Sequence, residues 1–431
     1  MSFITNIRSV AKYESKILVR SWFFRIFTLL AVVFLGFFNF AMMLMEDNFG
    51  LWFAKSVSSN IPYLNLLLLN TGQAVVAVFL SSEFLKRDKK LDTSEVFYVR
   101  PLSNAEYVVG KIWGNLRVFL FLNLLVLAIV LAFNFMASGV AVDLPAYLVY
   151  FFLISIPTLI FIIGLSIFLM LLLKNQALTF ILLLGYIGLT LFYIQDKFYY
   201  LFDYMVYNLP LFKSTIVGFS NLELILNHRA IYFFAGLGFI FFTIFLFKRL
   251  PNARRSHYPW LFLSFCMFLL MGTAGFRHVR SILREGEMRA LYTSINNKYV
   301  YEPKMAIDYY DISVEQKSET IRSVVGMEGT ALAASEVFIF CLNPGLRVEE
   351  VKDGEKSLNF KREEQILAVD FGRKIEKGDT ISFSVSYEGR IKDDFCYLDI
   401  PEEVLQQPYD KEMLKLDKKY SFQTSASRNG V

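Results

Sequence analysis

Seven apolar runs, each sixteen to twenty-six residues long, limit what this chain can fold into more than any other feature. They are Ile26–Met45, Ile61–Leu80, Val118–Met136, Leu148–Leu173, Ala177–Ile194, Ile231–Phe247 and Trp260–Gly275. A helix rises about 1.5 Å per residue, so roughly 20 such residues cross a ~30 Å hydrocarbon core. The first run is too long for a signal peptide, and no small-residue cleavage site follows it. The last is short: it either spans with little tilt or lies at the interface. The expected fold is an α-helical polytopic membrane bundle, with six spans over 21–250 and a seventh over 258–275.

Charge divides the chain in the same place. Residues 1–275 hold 33 of the 83 charged side chains, net +9, and residues 276–431 hold the other 50, net −4. The first part reads as membrane and the second as water-soluble. Cytoplasmic loops carry an excess of Lys and Arg. With the N-terminus inside, 17 basic residues fall on the cytoplasmic side: Arg8, Lys12, Lys16, Arg20 and Arg25, the cluster from Lys86 to Arg117, Lys174, and Lys248 to Arg255. Only Lys55, Lys197, Lys213 and Arg229 fall outside. These residues orient the chain in a membrane rather than bind nucleic acid. An odd number of spans places residues 276–431 outside the cytoplasm; if the last run does not span, that placement reverses.

Ahead of the first span, Ile7, Val10, Tyr13 and Ile17 recur at helical spacing, with Lys12, Lys16 and Arg20 among them. Residues 1–20 therefore predict an amphipathic helix on the inner leaflet, in contact with membrane lipid; a solvated N-terminal helix is the alternative. The loop 81–117 has a dense charge cluster containing Lys86 and Arg87, then an apolar patch around Phe97, then Arg100, Pro101 and Leu102. Pro101 stops a preceding helix. Ser103 or Asn104 can cap a new one that rises into the bilayer past Glu106, Gly110 and Lys111. Without further information this is also what a plain topology-fixing loop looks like.

The loop resembles that of type 2 ABC exporter permeases, which end it in a pattern close to (S/T)P-(L/V)-S-x-x-E-x-x-x-G-K. Here the matching residues are Arg100-Pro101-Leu102-Ser103-Asn104-Ala105-Glu106-Tyr107-Val108-Val109-Gly110-Lys111. Arg100 departs from the usual small residue before Pro, and Leu91-Asp92 stands where Gly-Thr is common. The resemblance covers about residues 1–250. It implies that Lys86, Arg87, Phe97, Arg100, Pro101, Leu102, Glu106 and Lys111 form a coupling loop docking on a separate ABC ATPase subunit. It also implies a second permease subunit, because six spans make half of such a transporter. No G-x-x-x-x-G-K-(S/T) occurs in this chain, so it supplies no phosphate-cradling loop of its own. The family carries an interfacial or re-entrant helical hairpin between its fifth and sixth spans. The aromatic segment 195–229, with Pro210, is open to that reading or to that of a belt loop.

Polar residues within spans are costly and face a bundle interior or a cavity. Asn39, Asn65, Asn70, Gln73 and Asn123 either line a translocation path or hydrogen-bond helices to each other. Pro157 predicts a kink in the fourth span, and Gly185 and Gly188 permit close packing of the fifth.

Residues 276–304 predict a helical linker. Period-2 alternation follows in Thr380–Tyr387 and at Leu367, Val369 and Phe371. Glu336–Leu342 is a strand apolar on both faces, and Asp353-Gly354 and Gly378-Asp379 mark turns. Residues 305–400 are thus an expected extracytoplasmic antiparallel β-sandwich, followed by a tail over 401–431 that looks truncated. Cys341 is expected as a buried thiol, with a Cys341–Cys396 bridge as the alternative.

The strand order over 305–395 resembles the N-terminal β domain of aminopeptidase-N-like zinc metallopeptidases, most recognisably in V-x-Y-x-G-x-I at Val385, Tyr387, Gly389 and Ile391. The peptidase zinc site needs H-E-x-x-H. This chain has only His228, His257 and His278, none followed by Glu, and each is expected at the surface or interface. No catalytic residue, metal ligand or cofactor is expected. The functional expectation is a permease subunit of an ABC-type transporter in a bacterial cytoplasmic (inner) membrane, N-terminus cytoplasmic, rather than an enzyme. The alternative is the non-catalytic front part of a membrane-tethered zinc aminopeptidase system.

Overall fold

The computed structural model describes residues 3–44, 59–82, 102–136, 142–194, 197–206, 209, 211, 213, 222–247, 258–317, 319–392 and 395. They form two compact units, divided between Val279 and Arg280. The first is helical. Its elements are α1 (Phe3–Arg20), α2 (Trp22–Leu44), α3 (Asn60–Ser82), α4 (Asn104–Met136), α5 (Leu144–Leu173), α6 (Gln176–Phe192), α7 (Leu222–Leu246) and α8 (Tyr258–Lys298), the last continuing into the second unit.

Six of these, α2, α3, α4, α5, α7 and α8, are long and apolar enough to cross a membrane. The run Ala177–Ile194, expected to span, forms the 17-residue apolar helix α6, shorter than these six; at 1.5 Å per residue it rises about 26 Å. The short run Trp260–Gly275 and the expected linker are one 41-residue helix. The most enclosed of the six is α3, whereas α2 presents Leu29, Leu30, Val33, Phe34 and Phe37 outward. Such a surface suits lipid and not water.

Two close approaches fix the packing. A methyl group built on Gly236 of α7 would lie 2.7 Å from the backbone of Ile160 and Phe161 in α5, and one on Gly164 would lie 2.6 Å from Gly236 O. The backbones of α5 and α7 therefore touch, as small residues allow in membrane bundles. Gly185 and Gly188, expected to serve that purpose in α6, have no atom within 4 Å of such a methyl group. Between α5 and α6 the chain turns in two residues. Lys174 adopts a left-handed conformation (φ 53°) and its N–H bonds Met170 O, while Asn175 caps α6 by accepting from Leu178 N at 3.2 Å. So short a link folds α6 back along α5, where Tyr186 meets Phe161 with ring centroids 6.2 Å apart.

The second unit is built of antiparallel strands: β1 (Met305–Lys317), β2 (Thr320–Ala331), β3 (Ser335–Cys341), β4 (Leu346–Asp353), β5 (Lys356–Ser357), β6 (Asn359–Glu363), β7 (Ile366–Ile375) and β8 (Thr380–Gly389). They form two sheets, ordered β1-β2-β8-β4-β5 and β3-β7-β6. Ile381, Phe383 and Val385 of the first sheet share one apolar core with Phe338, Leu367, Val369 and Phe371 of the second. Phe383 meets Phe340 and Phe371 at 5.1 and 5.6 Å between ring centroids. The expected turns carry Gly354 at φ 58° and Gly378 at φ 94°, conformations that glycine adopts without a Cβ clash. The strand expected to be apolar on both faces buries only one, with Phe338 inside and Val337 and Cys341 exposed. Cys341 is thus not the buried thiol expected of it, because it closes β3 at the sheet's end; Cys396 lies outside the described residues.

At the end of α8, Gln365 Nε2 donates to Tyr292 O at 2.6 Å, and Lys298 Nζ reaches both Glu363 oxygens at 3.0 and 2.9 Å. The Tyr299 hydroxyl and then the Lys298 ammonium hold the Glu363 carboxyl below the ordinary carboxylate range. These bonds fasten the helix end to the β6–β7 hairpin.

Candidate functional site

Two constellations stand out in the helical unit. The first is the head of α4. Ser103 Oγ accepts from Glu106 N at 3.1 Å and Glu106 Oε2 accepts from Ser103 N at 2.6 Å, a reciprocal capping box. The second Glu106 oxygen accepts from Asn6 of α1 at 2.8 Å. Asn104 donates to Phe247 O at 2.6 Å, just past the end of α7, and Tyr107 stacks on the Phe247 ring at 5.5 Å. One turn on, a methyl on Gly110 would lie 2.7 Å from Val10 Cβ, and one on Gly114 would lie 2.9 Å from Ala11 O. The two glycines open a notch in which α1 lies against α4. Lys111 meets Glu14 at 3.8 Å, both almost wholly buried. Ser15 Oγ donates to Gly114 O at 2.7 Å and Arg117 donates to Ala11 O at 2.8 Å.

The buried side of α1 is consequently Ala11, Glu14, Ser15 and Leu18, of which Leu18 alone is a large apolar side chain. Among the expected coupling residues, Leu102 is half-buried, while Glu106 and Lys111 are buried and bound to neighbours within the unit. The motif's Glu and Lys therefore hold α1 and the helix start in place, and neither presents a surface to a partner. Lys86, Arg87, Phe97, Arg100 and Pro101 lie outside the described residues.

The second constellation is built on residues 197–206, 209, 211 and 213, which lie between α6 and α7 in the chain. None of these residues is in an α-helix, so of the two readings open for 195–229 the helical hairpin is not seen among the described residues. Tyr204, Met205, Val206, Leu209 and Leu211 are fully buried. Phe198, Tyr199 and Tyr200 sit consecutively in the left-handed region at φ 54°, 58° and 62°. That conformation costs an L-residue about 1–2 kcal/mol each. A non-helical backbone inside a membrane bundle leaves carbonyls that water cannot reach. Here side chains answer them one by one. His278 Nε2 bonds Tyr199 O at 2.8 Å and His228 Nε2 bonds Tyr200 O at 3.0 Å. Tyr232 donates to Leu201 O, Tyr150 to Leu211 O at 2.7 Å, and Ser59 to Lys213 O at 2.6 Å. The Lys213 ammonium pairs with Asp143.

Arg229 does most. Its Nη1 donates to Tyr204 O at 3.0 Å, its Nη2 to Thr158 Oγ1 at 2.9 Å, and its Nε to Leu153 O at 2.7 Å. In an unbroken helix Leu153 O would accept from residue 157, which is proline and has no N–H. A π turn at Phe151–Ser155 precedes Pro157, and Arg229 closes the gap. Where Pro157 predicts a kink, the helix makes this π turn with a guanidinium capping it.

These placements correct three expectations. Arg229, assigned to an outer loop, lies within α7 and is buried. His228 and His278, expected at the surface or interface, are both fully buried, with ring centroids 5.1 Å apart. His257 lies outside the described residues. No signal in the sequence paired residues 50 positions apart; the nearest hint was a basic residue only two positions before an apolar run.

The five polar residues of the spans are buried and bound to one another. Asn39 and Asn65 exchange side-chain bonds of 2.7 and 3.0 Å. Asn123 donates to Gln73 at 2.8 Å and accepts from Ser155 at 2.7 Å, and Gln73 donates to Asn70 at 2.6 Å. They tie α2 to α3, and α3 to α4 and α5. Among the described residues, no group of three or more His, Cys, Asp or Glu is placed to hold a metal ion.

No family model and no curated protein matches the chain. Among solved structures it is similar to an M1 zinc metallopeptidase from Deinococcus radiodurans, solved with a Tyr-Ser-Ala substrate. That similarity is at 17% identity and a TM-score of 0.19, over 20% of this chain and 21% of that one. The chain thus spans about a fifth of that structure. The described residues make up a candidate multi-pass membrane unit of six apolar helices and an antiparallel sheet unit.

Proposed function

We propose that this chain is the permease subunit of an ABC-type transporter, moving its substrate with ATP hydrolysed by a separate subunit. The observation that supports this reading best is the head of α4. Asn104, Glu106 and the glycine notch join α1, α4 and the end of α7 at the head of α4, next in the chain to the charged loop. A displacement of that loop by a partner would reach three helices together instead of being absorbed by one. In this reading α6 crosses as well, folded back along α5, giving seven crossings with the N-terminus cytoplasmic and the β unit, a sandwich, outside. A second permease copy completes the transporter, and the membrane is a bacterial inner membrane. The V-x-Y-x-G-x-I segment, which runs from β8 two residues past its end, favours, as a second reading, the front part of a membrane-tethered zinc aminopeptidase system.

Arg87→Glu, Phe97→Ala and Pro101→Ala test the first reading in the native membrane complex. Each is expected to lower its ATP hydrolysis about tenfold or more, equivalent to ~1.4 kcal/mol of lost coupling. The melting temperature and yield of the chain are expected to stay unchanged. Unaltered hydrolysis in all three variants would refute the docking role of the loop.

A further inference from the structure

The seating of α1 against α4 leaves two flanks free, and they differ in chemistry. Arg8, Lys12 and Lys16 follow one another four residues apart and are all exposed, with Arg20 one step further. Residues four apart lie above one another on a helix, so the cations make a continuous row. The other flank offers Phe3 and Tyr13, exposed, with Ile17 half-buried. The single acid of α1, Glu14, is buried beside Lys111. No carboxylate of this helix therefore neutralises the basic row. Trp22, 75% exposed, opens α2 directly afterwards, a residue enriched where hydrocarbon meets headgroups.

We propose that the exposed surface of α1 binds anionic phospholipid, the Arg8–Lys12–Lys16 row contacting headgroup phosphates while Phe3, Tyr13 and Ile17 enter the acyl boundary. The physical basis is the pairing of a basic with an apolar flank on a helix parallel to the membrane surface. The glycine notch adds what an isolated amphipathic peptide lacks: it fixes the rotation of α1, so that both flanks are set before lipid arrives. The inference rests on the membrane placement of the helical unit and is independent of the transport reading.

The full chain, reconstituted in nanodiscs of zwitterionic phospholipid with or without one-third phosphatidylglycerol, provides the test. Wild-type protein is expected to melt at a higher temperature in the anionic discs. It is also expected to enrich phosphatidylglycerol among co-purifying lipids about fivefold or more, the size of effect one cation at a charged membrane surface gives. The triple variant Arg8→Gln, Lys12→Gln, Lys16→Gln is expected to lose both effects while matching wild type in zwitterionic discs. Should the variant not fold, high salt applied to wild type must remove the enrichment, because exposed charges are screened. Equal melting and no enrichment for wild type, or enrichment kept by a folded triple variant, would overturn the proposal. So would inorganic phosphate reproducing the shift in zwitterionic discs, since that would make the ligand a free anion.

Discussion

Gly236→Val is expected to prevent stable assembly of the helical unit, the largest effect of any single substitution considered. The first added carbon would lie 2.7 Å from three backbone atoms of Ile160 and Phe161, and backbone cannot rotate aside as a side chain can. Overpacking a well-filled core costs about 1–3 kcal/mol where neighbours can adjust; here α5 and α7 must separate along their shared length. The expected loss is therefore at least ~3 kcal/mol, read as collapse of the melting temperature in mild detergent and of the folded yield. Gly185→Val serves as the control. Nothing lies within 4 Å of a methyl there, so protomer stability should change by no more than about 0.5 kcal/mol. Equal behaviour of the two variants would contradict the packing of α5 on α7.

Arg229→Met carries the second largest effect. It keeps much of the side chain's apolar stem but takes the guanidinium from Leu153 O and leaves Tyr204 O with Thr158 Oγ1 as its one remaining side-chain donor, at 3.2 Å. A buried polar group stripped of its partner costs about 1–3 kcal/mol. With Leu153 O uncapped at the π turn and Tyr204 O reduced to one donor, the expected destabilisation is ~2–3 kcal/mol. Because Tyr204 anchors the irregular segment, the loss should also show as new protease cleavage within 197–213 before global unfolding. Arg229→Lys should fall between, since an ammonium lacks the planar fork that spans these acceptors. A wild-type cleavage pattern in Arg229→Met would show that the segment is held by other means.

How far the sequence revealed this arrangement differs from element to element. The apolar runs were legible because crossing a membrane requires a length that composition alone displays. The strands at Leu367–Phe371 and Thr380–Tyr387 were legible because a half-buried strand alternates. Ser103 and Glu106 were legible as a helix start, since capping is local. The role of Lys111 was not: its partner Glu14 lies nearly a hundred residues away, and the notch depends on glycines that carry no side chain to read. The buried side of α1 was missed for a related reason. Amphipathic periodicity points to the apolar residues, whereas a glycine notch selects Ala11 and Ser15. Arg229, His228 and His278 were misplaced because polar residues beside an apolar run ordinarily mark its aqueous end. Here they answer the carbonyls of a segment buried in the bundle, a demand that arises only once the chain is folded. Pro157 was the one local clue, and its unpaired carbonyl partner could not be known without the position of Arg229.

The proposed transport function stands or falls on what this chain binds. The most direct measurement is mass spectrometry of the full chain purified from its native membrane in mild detergent, with ATP hydrolysis assayed on the same sample. The account predicts a separate subunit bearing a phosphate-binding G-x-x-x-x-G-K-(S/T) loop in near-equal amount, together with ATPase activity that the Pro101→Ala complex loses. A folded, stable preparation that contains no ATP-binding subunit, or one that carries a zinc peptidase in its place, would contradict it.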